Sequence, residues 1–259
     1  MKKSVFLIAA AAISCYVFAA DVVKPKRGRP RGSSRPSGGI VEKSYSGNIF
    51  KIINAQNSID AGHLANVAKK IRFNTLLPIE AHAGTINNDS CPFSAADKLV
   101  SESKVGAGLL IVENENLPLT LVAPERRWAI LNIARLKADA PSMEKLNARF
   151  EKMLWCSVAR ALGAGYSSYK PCVLIPFKSL NELDTSIYPQ LCPEPINKMI
   201  DTGKVYGIHT ITIASYRTAC QQGWAAQPTN AVQKAIWDEV HAMPTSPIKI
   251  KPETKKVKE

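Results

Sequence analysis

Residues 150–174 read FEKMLWCSVARALGAGYSSYKPCVL, and this stretch decides the fold. Met143, Leu146, Phe150, Met153, Leu154, Val158 and Leu162 recur at steps of three and four, so one face of a helix is apolar. Ser142 caps its start and the Gly163 and Gly165 pair supplies a stop, which predicts a helix from Ser142 to Leu162. Beyond it, Tyr166 to Lys170 is a polar loop. Cys172-Val173-Leu174-Ile175, ahead of Pro176, is a short apolar run that reads as a buried turn or a strand.

Cys156, Ser157, Arg160, Gly163 and Tyr166 stand at the spacing of a metal-protease signature, HExxHxxGxxH. In metzincin peptidases two imidazoles one helical turn apart bind zinc, a carboxylate between them is the general base, and a glycine turns the chain so that a third imidazole completes the site. With the glycine laid on Gly163, Cys156 and Arg160 take the first two ligand positions, Ser157 the base and Tyr166 the third ligand. All four are the wrong residue types for that chemistry.

The flanking residues carry the comparison further. Ser167, Cys172-Val173-Leu174, the acidic Asn181-Glu182-Leu183-Asp184 and Leu191-Cys192-Pro193-Glu194-Pro195 follow in order. Upstream come Gly108 to Val112, Glu113 to Leu117, and the WAILNIARL of Trp128 to Leu136. This succession, from about Asn48 to Pro195, resembles the archaemetzincin family. The resemblance implies an α+β, zincin-like mixed sheet with helices and a central former active-site helix, and it implies a catalytically inactive relative, a pseudopeptidase without zinc or other cofactor. Its cleft would hold a peptide, protein or glycan without cutting it. In the family the positions of Cys172 and Cys192 converge on a second zinc. With Ser167 and Pro195 in place of the other two ligands, the resemblance implies a Cys172–Cys192 disulfide here.

The ends of the chain have a different composition. Residues 1–20 carry two lysines, an apolar run from Val5 to Ala12 and small residues at Ala19 and Ala20, the pattern of a cleaved secretory signal. The chain is therefore expected to be secreted or periplasmic, with no membrane span once mature. A lipoprotein acylated at Cys15 is the weaker alternative. Residues 21–44 are basic and rich in Pro, Gly and Ser, and are expected to be a disordered linker. Within it Lys26, Arg27, Arg29 and Arg31 surround an Arg-Gly-Arg-Pro core that resembles an AT-hook, a segment that lies in the narrow minor groove of DNA. For an exported chain, a solvated linker contacting an anionic envelope polymer or extracellular DNA is the plainer reading. Of the formal charge of +13, the first 35 residues hold a net +7 and the last eleven +3, leaving the middle only mildly basic. Residues 45–246 are the expected metzincin-like domain, and 247–259 a lysine-rich disordered tail.

Within that domain the pattern predicts strands at Ile49 to Asn54, Leu76 to Ala81, Gly108 to Val112, Ala129 to Ala134 and Ile208 to Ala214. Helices are predicted at Ile59 to Phe73, from Ser94 to about Ser103, and at Thr229 to Met243. The four histidines, His63, His82, His209 and His241, show no HxxxH or HxH pairing, so the sequence announces no metal site. No GxSxG, P-loop or GxGxxG pattern occurs in a fitting context. Beyond Cys15 there remain Cys91, Cys156, Cys172, Cys192 and Cys220, an odd number whose pairing the sequence leaves open. Two classes remain: a binding or scaffold protein, and a hydrolase using an unrecognised metal site or Cys156 beside Arg160.

Overall fold

The computed structural model describes residues 38–84, 91–140 and 142–242. The expected signal peptide, most of the linker with Lys26, Arg27, Arg29 and Arg31, and the tail from 247 lie outside the described residues.

The centre of the domain is a five-stranded sheet in the order β3-β2-β4-β6-β5. Its strands are β2 (Ile49–Ala55), β3 (Ile79–Gly84), β4 (Val105–Val112), β5 (Thr120–Ala123) and β6 (Trp128–Asn132). All ladders are parallel except β5 with β6. Strand β4, VGAGLLIV, has no polar side chain, and its eight residues are all buried. An unbroken apolar run of this kind suits a parallel strand covered on both faces.

Helices α1 (Ala61–Thr75), α2 (Pro92–Ser101), α3 (Ile133–Lys137) and α4 (Met143–Ala161) surround the sheet. Phe50, Ile52, Leu109, Ile111, Ala129 and Leu131 share one core with Leu64, Val67 and Ile71 of α1 and Phe150, Leu154 and Val158 of α4. On the opposite face Leu110, Val112, Trp128 and Ile130 pack with Ala96 and Val100 of α2. A Cβ at Gly108 would stand 2.7 Å from Leu99 Cδ2, so the glycine lets α2 approach the sheet closely. The mixed α/β architecture read from the sequence is thus the one observed.

After α4 come α5 (Leu180–Ser186), α6 (Pro193–Val205), α7 (Tyr216–Gln221) and α8 (Ala231–Ala242). A separate two-stranded ribbon joins β1 (Ile40–Glu42) to β7 (Ile213–Ser215), antiparallel. No helix among the described residues is long and apolar enough to cross a membrane.

Several boundaries differ from the sequence reading. The linker was expected to reach residue 44, yet Ile40–Glu42 is a strand paired with β7, so the folded chain begins earlier. Helix α1 starts after Asp60, whose side chain accepts from the His63 amide at 2.7 Å. Leu76 ends that helix in the left-handed region at φ 57°, which delays β3 to Ile79 instead of Leu76. The strand expected to reach Ala134 stops at Asn132. There the side chain replaces the ladder, accepting from Ala134 and Asn114 amides and donating to the Asn114 and Leu117 carbonyls. Of the run expected as a strand from Ile208 to Ala214, only Ile213 and Ala214 lie in one, β7, which extends to Ser215 opposite the three residues of β1, while Ile208 and Ile211 are buried.

Candidate functional site

Helix α4 is built as the periodicity predicts. Ser142 accepts from the Lys145 amide at 3.2 Å, and at the other end Gly163 takes φ +77°, a conformation in which a side chain would be strained. Ala164 closes the turn by donating to the Ala159 carbonyl at 3.0 Å.

The last two turns set out the template residues. Cys156 is buried, and burial pushes its thiol up to about 11, against the smaller pull of Arg160. Such a thiol is protonated at neutral pH and is a poor nucleophile. Ser157 is fully buried and its Oγ meets no partner among the described residues. Arg160 is half-buried, its guanidinium 4.7 Å from the centre of the Tyr166 ring, and Tyr166 is 60% exposed. Tyr166 therefore does not fill the groove as a third ligand would; it lies at the surface beneath a cation.

None of the acids in the flanking segments, Glu113, Glu115 and Asp184, pairs with Arg160. Glu113 pairs with Lys137 at 2.6 Å, and Asp184 with Arg149 and Lys145 at 2.8 and 2.9 Å. The Glu115 carbonyl accepts from Arg135, and its carboxylate makes no ion pair with Arg160. The Asp184 cluster is the part of the region that sequence reasoning missed. Arg149, 2% exposed, makes a two-pronged pair with Asp184 and also donates to the Leu136 and Ala138 carbonyls. The Arg149 guanidinium, with help from Lys145, holds the Asp184 carboxyl down at about 2. Lys152 is buried beside it and donates to the Leu183 and Asp184 carbonyls, while burial pushes its ammonium below the usual lysine range. Arg149, Lys152 and Cys156 share one stripe of α4 at three- and four-residue spacing. That spacing was the available signal.

Downstream, residues 172–175 form a buried turn, not a strand. The Cys172 amide donates to the Tyr169 carbonyl and the Val173 amide to the Gln190 carbonyl. Cys172 and Cys192, for which the resemblance implies a disulfide, are free thiols in this structure, as are the other described cysteines. Cys172 and Cys192 are nevertheless neighbours, and Cys192 Sγ lies 3.6 Å from Ser167 Oγ.

The histidines do not gather here. His63 lies against Phe150, ring centres 5.8 Å apart; His82 faces Glu80; His241 stacks on Trp237. Among the described residues no three His, Cys, Asp or Glu side chains are placed to hold a metal ion. The zinc of the resembled family does not fit these side chains, since a guanidinium, a buried protonated thiol and an exposed phenol offer no matching donor set. Two cavities of about 460 and 510 Å³ lie at β3, the opposite edge of the sheet from β5, and none of Cys156, Ser157, Arg160 or Tyr166 lines either.

Among solved structures the chain is similar to archaemetzincin from Methanopyrus kandleri, with 16% identity, 61% of this chain and 96% of that one covered, and a TM-score of 0.49. It is also similar to a zinc-dependent peptidase from Methanocorpusculum labreanum, at 13% identity over 57% and 99% of the two chains with a TM-score of 0.45. A third is archaemetzincin from Archaeoglobus fulgidus complexed with malonate, at 16% identity over 57% and 99%, TM-score 0.43. No protein-family model and no curated protein matches the sequence.

Proposed function

We propose that this chain is an exported, non-catalytic binding protein in which the end of a former catalytic helix recognises an anionic group. The observation that carries the reading is Arg160. Its guanidinium rests on an exposed aromatic ring and has no carboxylate partner among the described residues. A planar guanidinium offers five donors to a carboxylate in a two-pronged arrangement. Because Arg160 is half-buried and Tyr166 60% exposed, the fitting ligand is the acidic side chain or C-terminal carboxylate of a peptide or protein, gripped at one point. A glycan acid would offer the same group.

Arg160→Ala is expected to weaken binding of acidic or C-terminal peptides by about 10- to 100-fold, the worth of a charge-assisted hydrogen bond. The melting temperature should barely move, because surface changes away from buried pairs stay within about 0.5 kcal/mol. A peptide array with unchanged binding would end the proposal, and a large loss of stability would make Arg160 structural instead. The runner-up, a cysteine hydrolase centred on Cys156, suffers from the raised thiol, on which Arg160 and Cys172 act and no histidine does among the described residues. Polyanion binding through Lys26, Arg27, Arg29 and Arg31 is a separate proposal, tested by the salt dependence of DNA binding.

Export carries its own test. In an oxidising compartment the adjacent Cys172 and Cys192 thiols should close a bridge, spanning a loop of about 20 residues and stabilising by roughly 3 kcal/mol in the chain-entropy account. Peptide mapping of the non-reduced secreted protein checks this, and two alkylatable thiols there would refute it.

A further inference from the structure

Strand β3 is an edge of the sheet, and two cavities open along it: Ile79 and Ala81 line one, Glu80 and His82 the other, and the Glu42 and Arg72 pair borders both. Pairing fixes which backbone groups are free. The Phe50 amide donates to the Pro78 carbonyl and the Gln56 amide to the Gly84 carbonyl, so the even-numbered residues of β3 face β2. In a parallel ladder alternate residues turn both their N–H and C=O to the same side. The N–H and C=O groups of Ala81 and Ala83 therefore point outward, and no described residue bonds them. An unpaired edge of this kind is a template for another strand.

The two faces of that edge differ in chemistry. On one side the cavity of about 460 Å³ is walled by Ala65, Ala68, Phe73, Ile79, Ala81 and Ile213, with Phe73 59% exposed. Lys69 stands on its lining with no ion-pair partner among the described residues. On the other side the cavity of about 510 Å³ is polar, and with His82 neutral its charges balance: Lys51, Arg72 and Lys104 against Glu42, Glu80 and Glu102, with Lys51 paired to Glu102 and Arg72 to Glu42. A strand laid along β3 would send alternate side chains into an apolar pocket and into a neutral polar groove.

We infer that β3 is a docking edge for an extended peptide of a partner protein, one that alternates apolar with small uncharged polar side chains and carries a carboxylate on its apolar face to meet Lys69. Main-chain hydrogen bonds to Ala81 and Ala83 supply the affinity, and the two dissimilar pockets supply register and selectivity. The site is separate from Arg160 and stands whether or not the reading of that residue holds.

The test uses the full chain and a fluorophore-labelled octapeptide alternating valine and threonine with a glutamate at one apolar position. Saturable binding is expected. Ala81→Pro removes one outward N–H while leaving the ladder to β2 intact, a substitution edge strands accept, and should weaken binding at least tenfold. Ala65→Trp, which fills the apolar pocket, should do the same. Both variants are compared at matched melting behaviour, and as a control that leaves the protein untouched, N-methylating alternate peptide amides should abolish binding in one phase and spare it in the other. Equal binding by the parent, Ala81→Pro and the N-methylated peptides would overturn the inference. So would self-association in sedimentation that Ala81→Pro abolishes, which would give the edge to a second copy. Crosslinks within one chain from Lys69 to Lys249 or Lys251 would likewise overturn it, by giving the edge to the chain's own end.

Discussion

Asp184→Ala is expected to destabilise the fold by about 3–5 kcal/mol, the usual effect of removing one member of a buried charge pair. The loss exceeds that of a single contact because Arg149, 2% exposed, and the buried Lys152 would both keep their charges without the carboxylate that balances them. In a domain of this size that corresponds to a fall in melting temperature of roughly 10 °C. Lys145→Ala, which removes the outer and half-exposed partner of the same acid, should cost only about 0.2–1 kcal/mol. Replacing Arg149 and Asp184 together by apolar residues of similar size should recover most of the loss, because the desolvation of both charges disappears with them. The pH dependence has a fixed sign. Asp184 is held at about 2 in the folded chain, below its ordinary value near 4 in the unfolded one. Its contribution is thus complete above about pH 4 and is lost as the pH falls through 2. Thermal melts from pH 5 to pH 2 should be steeper in the parent than in Asp184→Asn, and parallel curves would show that the acid is not paired.

The second large effect is Phe150→Ala, expected at about 3–5 kcal/mol. Phe150 is fully buried where α4 meets the sheet, against the His63 ring of α1, so truncation leaves a void that rigid neighbours on two elements cannot close. Phe150→Leu retains most of the volume and should cost far less. Denaturant midpoints at constant slope measure both, and a shift below 1 kcal/mol for alanine would mean that α4 is not seated on this core.

The long helix was legible because its apolar residues recur over five turns and are bounded by a serine and a glycine. Its Arg149 and Lys152 were not legible as buried residues. A cation on an apolar stripe reads as an interruption until its acid, 35 residues away, is folded beside it. Strand β5 escaped notice because it is four residues long, mostly half-buried and preceded by Pro118, so neither alternation nor an apolar run marks it. The template residues were found at their positions, but their exposure was not. Tyr166 takes the third-ligand position of the template, yet it lies on a surface loop, because after Gly163 the chain is held by turn hydrogen bonds and not by the helical period. Helix α6 starts at Pro193 after Cys192, and its apolar stripe is short, Ile196, Met199 and Ile200, so it was not marked in the sequence. Its Met199 joins the core shared with α4.

The central position of β4 sets how different parts of this domain come apart. Its backbone is held by β2 on one side and by β6 on the other, and its amides are sealed beneath α1, α4 and α2. Exchange of those amides with heavy water therefore requires the whole domain to open, and their rate reports the global unfolding free energy. Strands β3 and β5, each with one free side, exchange through smaller and more frequent openings. Because β2 and β4 are separated by the whole of α1, β3 and α2, the ladder that gives the slowest exchange is also one whose formation must wait for a long loop to close. The strand that guards the native state most firmly is thus assembled across a long intervening loop.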